Sequence, residues 1–198
     1  QAEARKSTRI QRANKNNARR TSQRKSCQTE TSNGKKKTFG VPTTLIGEKK
    51  GLVILFNFSD KAFLPKNTQD VFNERFNKEG YNAPGYIGSV HDYFHDQSYG
   101  LFDLSFDVIG PVTVSKSHSY YGSNDYYGDD QHPCELVIEA LKLVDNTVNF
   151  ADYDWDGDGE VDQVFIIYAG TGEASSDIAD DIWPHEWALS EGKAGGDG

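Results

Sequence analysis

Apolar residues recur along this chain with three different spacings, and each spacing predicts a different kind of element. Residues 51–59 (GLVILFNFS) and 161–169 (VDQVFIIYA) are near-continuous apolar runs rich in branched and aromatic side chains, the pattern of strands buried on both faces. Residues 101–115 (LFDLSFDVIGPVTVS) alternate instead, which predicts strand with a bend or an edge at Gly110 and Pro111, because proline cannot donate to a ladder. Helical spacing fills the intervals. Thr68 is placed to cap a helix that runs to about Lys78 with Val71, Phe72 and Phe76 on one face, and Gly80 stops it. Ser89 opens a second helix, where SVHD forms a capping box with Asp92 and the expected buried face is Val90, Tyr93 and Phe94. Pro133 suits the first turn of a third, which carries Leu136, Val137, Ala140, Leu141 and Val144 on one stripe and ends near Asp145. The glycine-rich SYYGSNDYYGDD (119–130) reads as a loop, and so does 170–187, whose Trp183 and Trp187 are expected to pack at the end of the sheet. Alternating strands and helices predict an α/β or α+β layer fold.

The first forty residues break this pattern. They carry 12 Lys/Arg against two acids, Glu3 and Glu30, with Ile10 and Phe39 almost alone as large apolar side chains. Such a segment cannot bury enough surface to offset chain entropy, so residues 1–40 are expected to be a disordered arm or the tail of a pro-segment, with the ordered domain over 41–198. Without interleaved aromatics or a fold of its own, the basic run predicts no nucleic-acid partner. The remaining residues hold 9 Lys/Arg against 28 Asp/Glu, so a basic arm precedes an acidic body and the net charge is −9. No stretch approaches the roughly 20 apolar residues of a membrane span. The chain has no methionine, so Gln1 is not an initiator and the sequence reads as processed or as part of something longer, with any export signal upstream. Cys27 and Cys134 are too few for a disulfide framework.

Candidate chemistry is concentrated in residues 154–162, DWDGDGEVD. Two carboxylates held about 4 Å apart repel by about 4 kcal/mol at an effective dielectric near 20, so a cluster this dense favours a cation. Asp154, Asp156 and Asp158 match positions 1, 3 and 5 of an EF-hand calcium loop, Gly159 the turn glycine at 6, Glu160 the backbone-carbonyl ligand at 7 and Asp162 position 9. Position 12 is Phe165 where an EF-hand has its bidentate glutamate, so the pattern is a half-loop rather than a helix-loop-helix. Aspartate and glycine also make solvated turns, but alternate carboxylates with glycine at the bend favour bound Ca²⁺. The ion would pin the entrance to the 161–169 strand, and a loop of moderate affinity fills where calcium is plentiful, outside the cell.

Other constellations are incomplete. His91 and His95 lie one helical turn apart, a spacing that suits zinc, but the zincin pattern HExxH is not formed and the pair reads as a solvated face. HEWAL at 185–189 has Leu189 where a second histidine would stand. No GxSxG elbow and no phosphate-cradling glycine loop occurs. Glu173, Asp177, Asp180 and Asp181 could add calcium ligands; solvation of their loop is the favoured reading.

The order of these pieces is itself informative. GLVILFNFSD, GSVHDYFHDQSYGLFDLSFDVIGPVTVS, YYGSND, HPCELVIEALKLVD, DYDWDGDGEVDQVFIIYAGTGEAS and IWPHEW together resemble the immune inhibitor A-like family of secreted bacterial zinc metallopeptidases (peptidase family M six), over about Gly51 to Leu189. The resemblance implies a zincin-like mixed sheet with flanking helices, export with a pro-segment, protein or peptide substrates, a structural calcium site and a catalytic Zn²⁺. In that family the HExxH helix lies downstream of the IWPH segment, and no HExxH stands in these 198 residues. The chain is therefore expected to be the N-terminal half of a catalytic domain, inactive alone, with its zinc ligands and general base beyond Gly198. Cys27 does not read as a zymogen zinc cap, since KSCQTE lacks the flanking residues of known cysteine switches. The rival reading is a calcium-stabilised secreted binding or adhesion module without catalytic activity.

Overall fold

The computed structural model describes residues 45–126 and 128–186. Their frame is a three-stranded parallel sheet in the order β2-β1-β3. The strands are β1 (Gly47–Asn57), β2 (Phe102–Thr113) and β3 (Val164–Tyr168). Between β1 and β2 lie helices α1 (Gln69–Asn77) and α2 (Val90–Gln97). Between β2 and β3 lie the short α3 (His118–Gly122), α4 (Pro133–Val144) and a 3₁₀ turn, Phe150–Tyr153. A one-turn helix, α5 (Glu173–Ser176), follows β3.

Strand β1 is apolar throughout because both of its faces are covered. Leu52, Ile54 and Phe56 face Leu136, Ala140 and Val144 of α4, while Val53 and Leu55 face Phe72 and Phe76 of α1 together with the β2 side chains Leu104, Phe106 and Val108. Residues 52–56 of β1 are fully buried, each worth roughly 1.5–3 kcal/mol for its side chain. Strand β2 alternates because Phe102, Leu104, Phe106 and Val108 pack into the core on one face while Asp103, Ser105 and Asp107 face outward on the other, and its proline falls where the ladder is interrupted: Ile54 pairs with Ile109 but Phe56 with Val112. Gly110 there has φ +100°, and a Cβ on it would stand 2.3 Å from the Leu55 carbonyl oxygen, so only glycine fits.

Both predicted caps are present. Thr68 accepts from the Val71 N–H, and Ser89 and Asp92 form the reciprocal capping box at α2. Several expectations need correction. Tyr93, expected in the core, is exposed, and Val90 and Phe94 are only half-buried. Helix α2 lies over the β2 edge, where Phe94 meets Phe102 and Phe106, and Tyr93 is turned about 100° away from that contact. The segment expected to be a loop from Ser119 begins as α3, because the Ser117 hydroxyl caps it by accepting the Tyr120 N–H and Tyr121 is buried against Phe58. Strand β3 is half-buried where the sequence predicts a fully buried strand: Val164, Ile166 and Tyr168 pack on one side of the sheet and Phe165 and Ile167 on the other, but among the described residues β1 is its one strand neighbour. The described strands are all parallel, so the antiparallel member of the expected mixed sheet is not among them. Residues 1–44 and Trp187 lie outside the described residues, and with them the expectations for the basic arm, for Cys27 and for packing by Trp187.

Candidate metal centre

The 154–162 loop connects the 3₁₀ turn to β3 and therefore sits at the amino end of that strand. Its backbone folds around Asp154, whose carboxylate accepts from the N–H groups of Gly157 (2.7 Å), Gly159 (2.8 Å) and Asp158 (3.2 Å). These donors, Gly159 first, hold the Asp154 carboxyl below the ordinary aspartate range, which favours the charged form. Gly157 and Gly159 take φ values of +78° and +91°, and those two left-handed residues let the chain wrap a single carboxylate. Asp162 closes the loop by accepting from the Trp155 N–H. Trp155 in turn ties the loop to the sheet, since its indole donates to the Lys50 carbonyl at 2.7 Å and its own carbonyl accepts from Lys49 Nζ at 3.0 Å.

The result is convergence. Asp154, Asp156 and Asp162 each offer a carboxylate oxygen, and these oxygens all lie within 4.8 Å of one another. Two oxygens bound to one calcium at about 2.3–2.6 Å can be no more than about 5 Å apart, so the three carboxylates are within reach of one shared hard cation. The acceptor-only oxygen chemistry fits Ca²⁺ better than zinc or copper. Of the other two residues named from sequence, Asp158 turns a carboxylate oxygen to the Glu160 N–H at 2.9 Å and is not in that group, and Glu160 is exposed, as suits a residue expected to contribute only its backbone carbonyl.

The histidine pair on α2 is not simply solvated. His91 Nδ1 lies 3.1 Å from the Leu104 carbonyl oxygen, which ties the ring to the β2 edge, while His95 stacks beside it with 6.1 Å between centroids. Among the described residues, the Asp154 group is the one set of three or more ligand-type side chains with metal-like spacing.

A second polar cluster was not foreseen. Asp181, expected to solvate its loop, is buried instead, with Oδ1 3.1 Å from His118 Nδ1 and 3.4 Å from Lys61 Nζ. Glu173 is buried too. Nothing in the run DIADD distinguishes Asp181 from Asp177 or Asp180, and His118 follows a capping serine like any first-turn residue, so no sequence signal could have joined them. Trp183 is half-buried, with its N–H on Asp130 Oδ2 at 2.8 Å.

Comparison with known proteins gives a consistent picture. The family described as "Immune inhibitor A peptidase M6, catalytic domain" matches residues 45–198. Immune inhibitor A of Bacillus thuringiensis subsp. alesti is 28% identical over 179 residues, which cover 73% of this chain and 26% of that protein. The pre-pro-metalloprotease PrtV of Vibrio cholerae serotype O1 is 32% identical over 147 residues, 63% of this chain and 16% of that protein. The chain thus spans about a quarter or less of the length of these relatives.

Proposed function

The chain belongs to the immune inhibitor A peptidase M6 family, a metallopeptidase family, and from that membership we propose that it is the N-terminal part of the catalytic domain of an exported zinc-dependent endopeptidase acting on proteins or peptides. The observation that carries this reading is the family match over 45–198, which begins where the basic segment ends and runs through the whole described sheet. Residues 1–40 are then the tail of a pro-segment, and the three parallel strands are the first strands of a zincin-like mixed sheet. Export fits the half-loop at 154–162, which needs abundant calcium to fill. No helix among the described residues is long and apolar enough to cross a membrane.

Within this reading the Asp154, Asp156 and Asp162 carboxylates hold a structural Ca²⁺, with the Glu160 carbonyl and, once its side chain turns from the Glu160 N–H toward the ion, Asp158 completing the loop's ligands. The ion fastens the entrance of β3 to β1 through Trp155. Zinc is not assigned to any residue of this chain. HExxH is absent from the 198 residues, so the zinc ligands and the general base of this reading lie outside them.

The test is proteolysis by the intact protein. Casein cleavage should be abolished by a zinc chelator and restored by added zinc, whereas the 198 residues alone should not cleave casein. Cleavage indifferent to the chelator would overturn the metallopeptidase reading, and cleavage by the 198 residues alone would overturn their inactivity.

A further inference from the structure

Three loops leave the carboxyl ends of the three parallel strands, and one buried histidine joins them. After β1 come Asp60 and Lys61, after β2 comes His118 at the start of α3, and after β3 the chain passes Gly170 and α5 before returning as residues 177–184. In open α/β sheets the carboxyl ends beside the strand-order reversal, here between β1 and β3, usually form a crevice for ligands. Here a strap of the chain's own backbone fills it. The Ile182 carbonyl oxygen accepts from Tyr168 Oη (3.2 Å) and from the Glu173 N–H (2.9 Å). Gly122 lies so close beneath the strap that a Cβ on it would stand 2.7 Å from the Asp180 carbonyl oxygen and from Ile182 N. Asp181 completes the attachment by reaching His118.

The His118 side chain is 1% exposed and that of Asp181 is 7% exposed. The groups facing the imidazole come from each packed element. Asp60 accepts the His118 backbone N–H at 2.8 Å, Lys61 Nζ stands 3.1 Å from Nδ1, Asp181 Oδ1 stands 3.1 Å from Nδ1, and the Tyr168 ring lies 6.0 Å away. Nδ1 cannot both donate to Asp181 and accept from Lys61; donation to the carboxylate leaves Lys61 its own contact with Asp181 at 3.4 Å. On the other side of the ring, Nε2 is buried with no hydrogen-bond partner among the described residues and lies beside Gly170, while the Phe58 ring packs at right angles to the imidazole. A bare lone pair is tolerable in that position. An N–H is not, because it would be a buried donor without an acceptor.

We propose that His118 is an acid-sensitive latch: neutral, it fastens the 177–184 strap across the carboxyl end of the sheet through Asp181, and protonation at Nε2 releases the strap so that the new N–H reaches water. The Lys61 ammonium beside Nδ1 adds a like-charge reason for the imidazolium to leave. Burial and Lys61 hold the imidazole below its ordinary range, against the pull of Asp181 and Asp60. With the closed-state value depressed and the open-state value near 6.5, closure is complete above about pH 6.5 and weakens as pH falls below it, until the closed form also takes the proton. The latch does not depend on the peptidase reading, since it uses only residues of the described fold.

Hydrogen exchange on the intact protein, with rates corrected for their intrinsic pH dependence, tests this directly. Between pH 7.5 and pH 5.5 peptides covering 177–184 should lose about tenfold in protection, the factor for an open-state imidazole titrating near 6.5, while a peptide covering 52–56 keeps its protection. His118→Gln should abolish the pH dependence at 177–184. Equal loss at both places, no loss at the strap, or an unchanged pH response in His118→Gln would each overturn the latch. Should that variant not fold, exchange at the C2 hydrogen of the His118 imidazole, read in the unaltered protein, decides: titration below 6.5 supports the latch, and titration at or above 6.5 rejects it.

Discussion

Gly122 is a small residue with a large structural obligation. It lies in α3 with ordinary helical geometry, so alanine would cost nothing in backbone conformation and should favour the helix. The obstacle is the strap: the added methyl would lie 2.7–2.8 Å from the backbone of Asp180, Asp181 and Ile182, none of which is the end of a flexible side chain. Either α3 or the strap must move, and overpacking of this kind costs about 1–3 kcal/mol. Gly122→Ala should therefore lower the midpoint of urea unfolding and raise hydrogen exchange at 177–184 at pH 7.5, where His118 is neutral. A variant with wild-type exchange there would show that the strap is not seated on α3. Nothing in YYGSND announces this constraint, since glycine after two tyrosines reads as a turn residue until the returning segment is in place.

At the scale of elements, the β2 edge is sealed by side chains in place of a fourth strand. Ser98 Oγ bonds both the N–H and the C=O of Phe102, His91 faces the Leu104 carbonyl, Asn77 donates to the Phe106 carbonyl and accepts its N–H, and Gln69 donates to the Val108 carbonyl at 2.6 Å. Four residues from α1, α2 and the turn after α2 thus occupy alternate positions of one strand edge, which keeps it from templating another chain. Asn77→Ala should leave both Phe106 backbone groups without their partner, at a cost of about 1–3 kcal/mol by chemical denaturation, and should raise aggregation near the unfolding midpoint. Wild-type stability in that variant would mean water replaces the amide without penalty. The caps, both flanking helices and the central strand were legible in the sequence because they rest on local rules: Thr68 and Ser89 act within four residues, and the 51–59 run records burial on two faces. The sealing residues were not legible. Gln69 and Asn77 stand two four-residue steps apart on α1, a spacing that describes a solvated helix face equally well, and the one-turn spacing of His91 and His95 reads as surface for the same reason. Their meaning depends on a strand about thirty residues away. Tyr93 misled in the opposite direction, an aromatic residue at a core-like position on a helix too short to bury more than one stripe.

Across the whole molecule, the parallel sheet sets its two polar centres at opposite ends, the carboxylate loop before β3 and the His118 cluster after it. Five residues of β3 at roughly 3.3 Å each put more than about 13 Å between them. Sites so separated contribute independently to stability, within about 0.5 kcal/mol, unless the strand between them transmits strain. If the loop holds calcium with the about 0.1–1 mM dissociation constant typical of extracellular modules, a tenfold excess of Ca²⁺ adds about 1.4 kcal/mol to the folded state. For a domain of this size that corresponds to about 3–6 °C in melting temperature. EGTA should lower the melting temperature of the intact protein by that amount, and Asp156→Ala measured in calcium should melt with the EGTA-treated wild type. The same EGTA increment should survive in His118→Gln, because removing the latch leaves Asp154, Asp156 and Asp162 in place at the far end of the sheet. Melting unchanged by both EGTA and Asp156→Ala would remove the structural ion. An increment that disappears in His118→Gln would instead show that β3 couples the two ends, making the loop and the strap a single device.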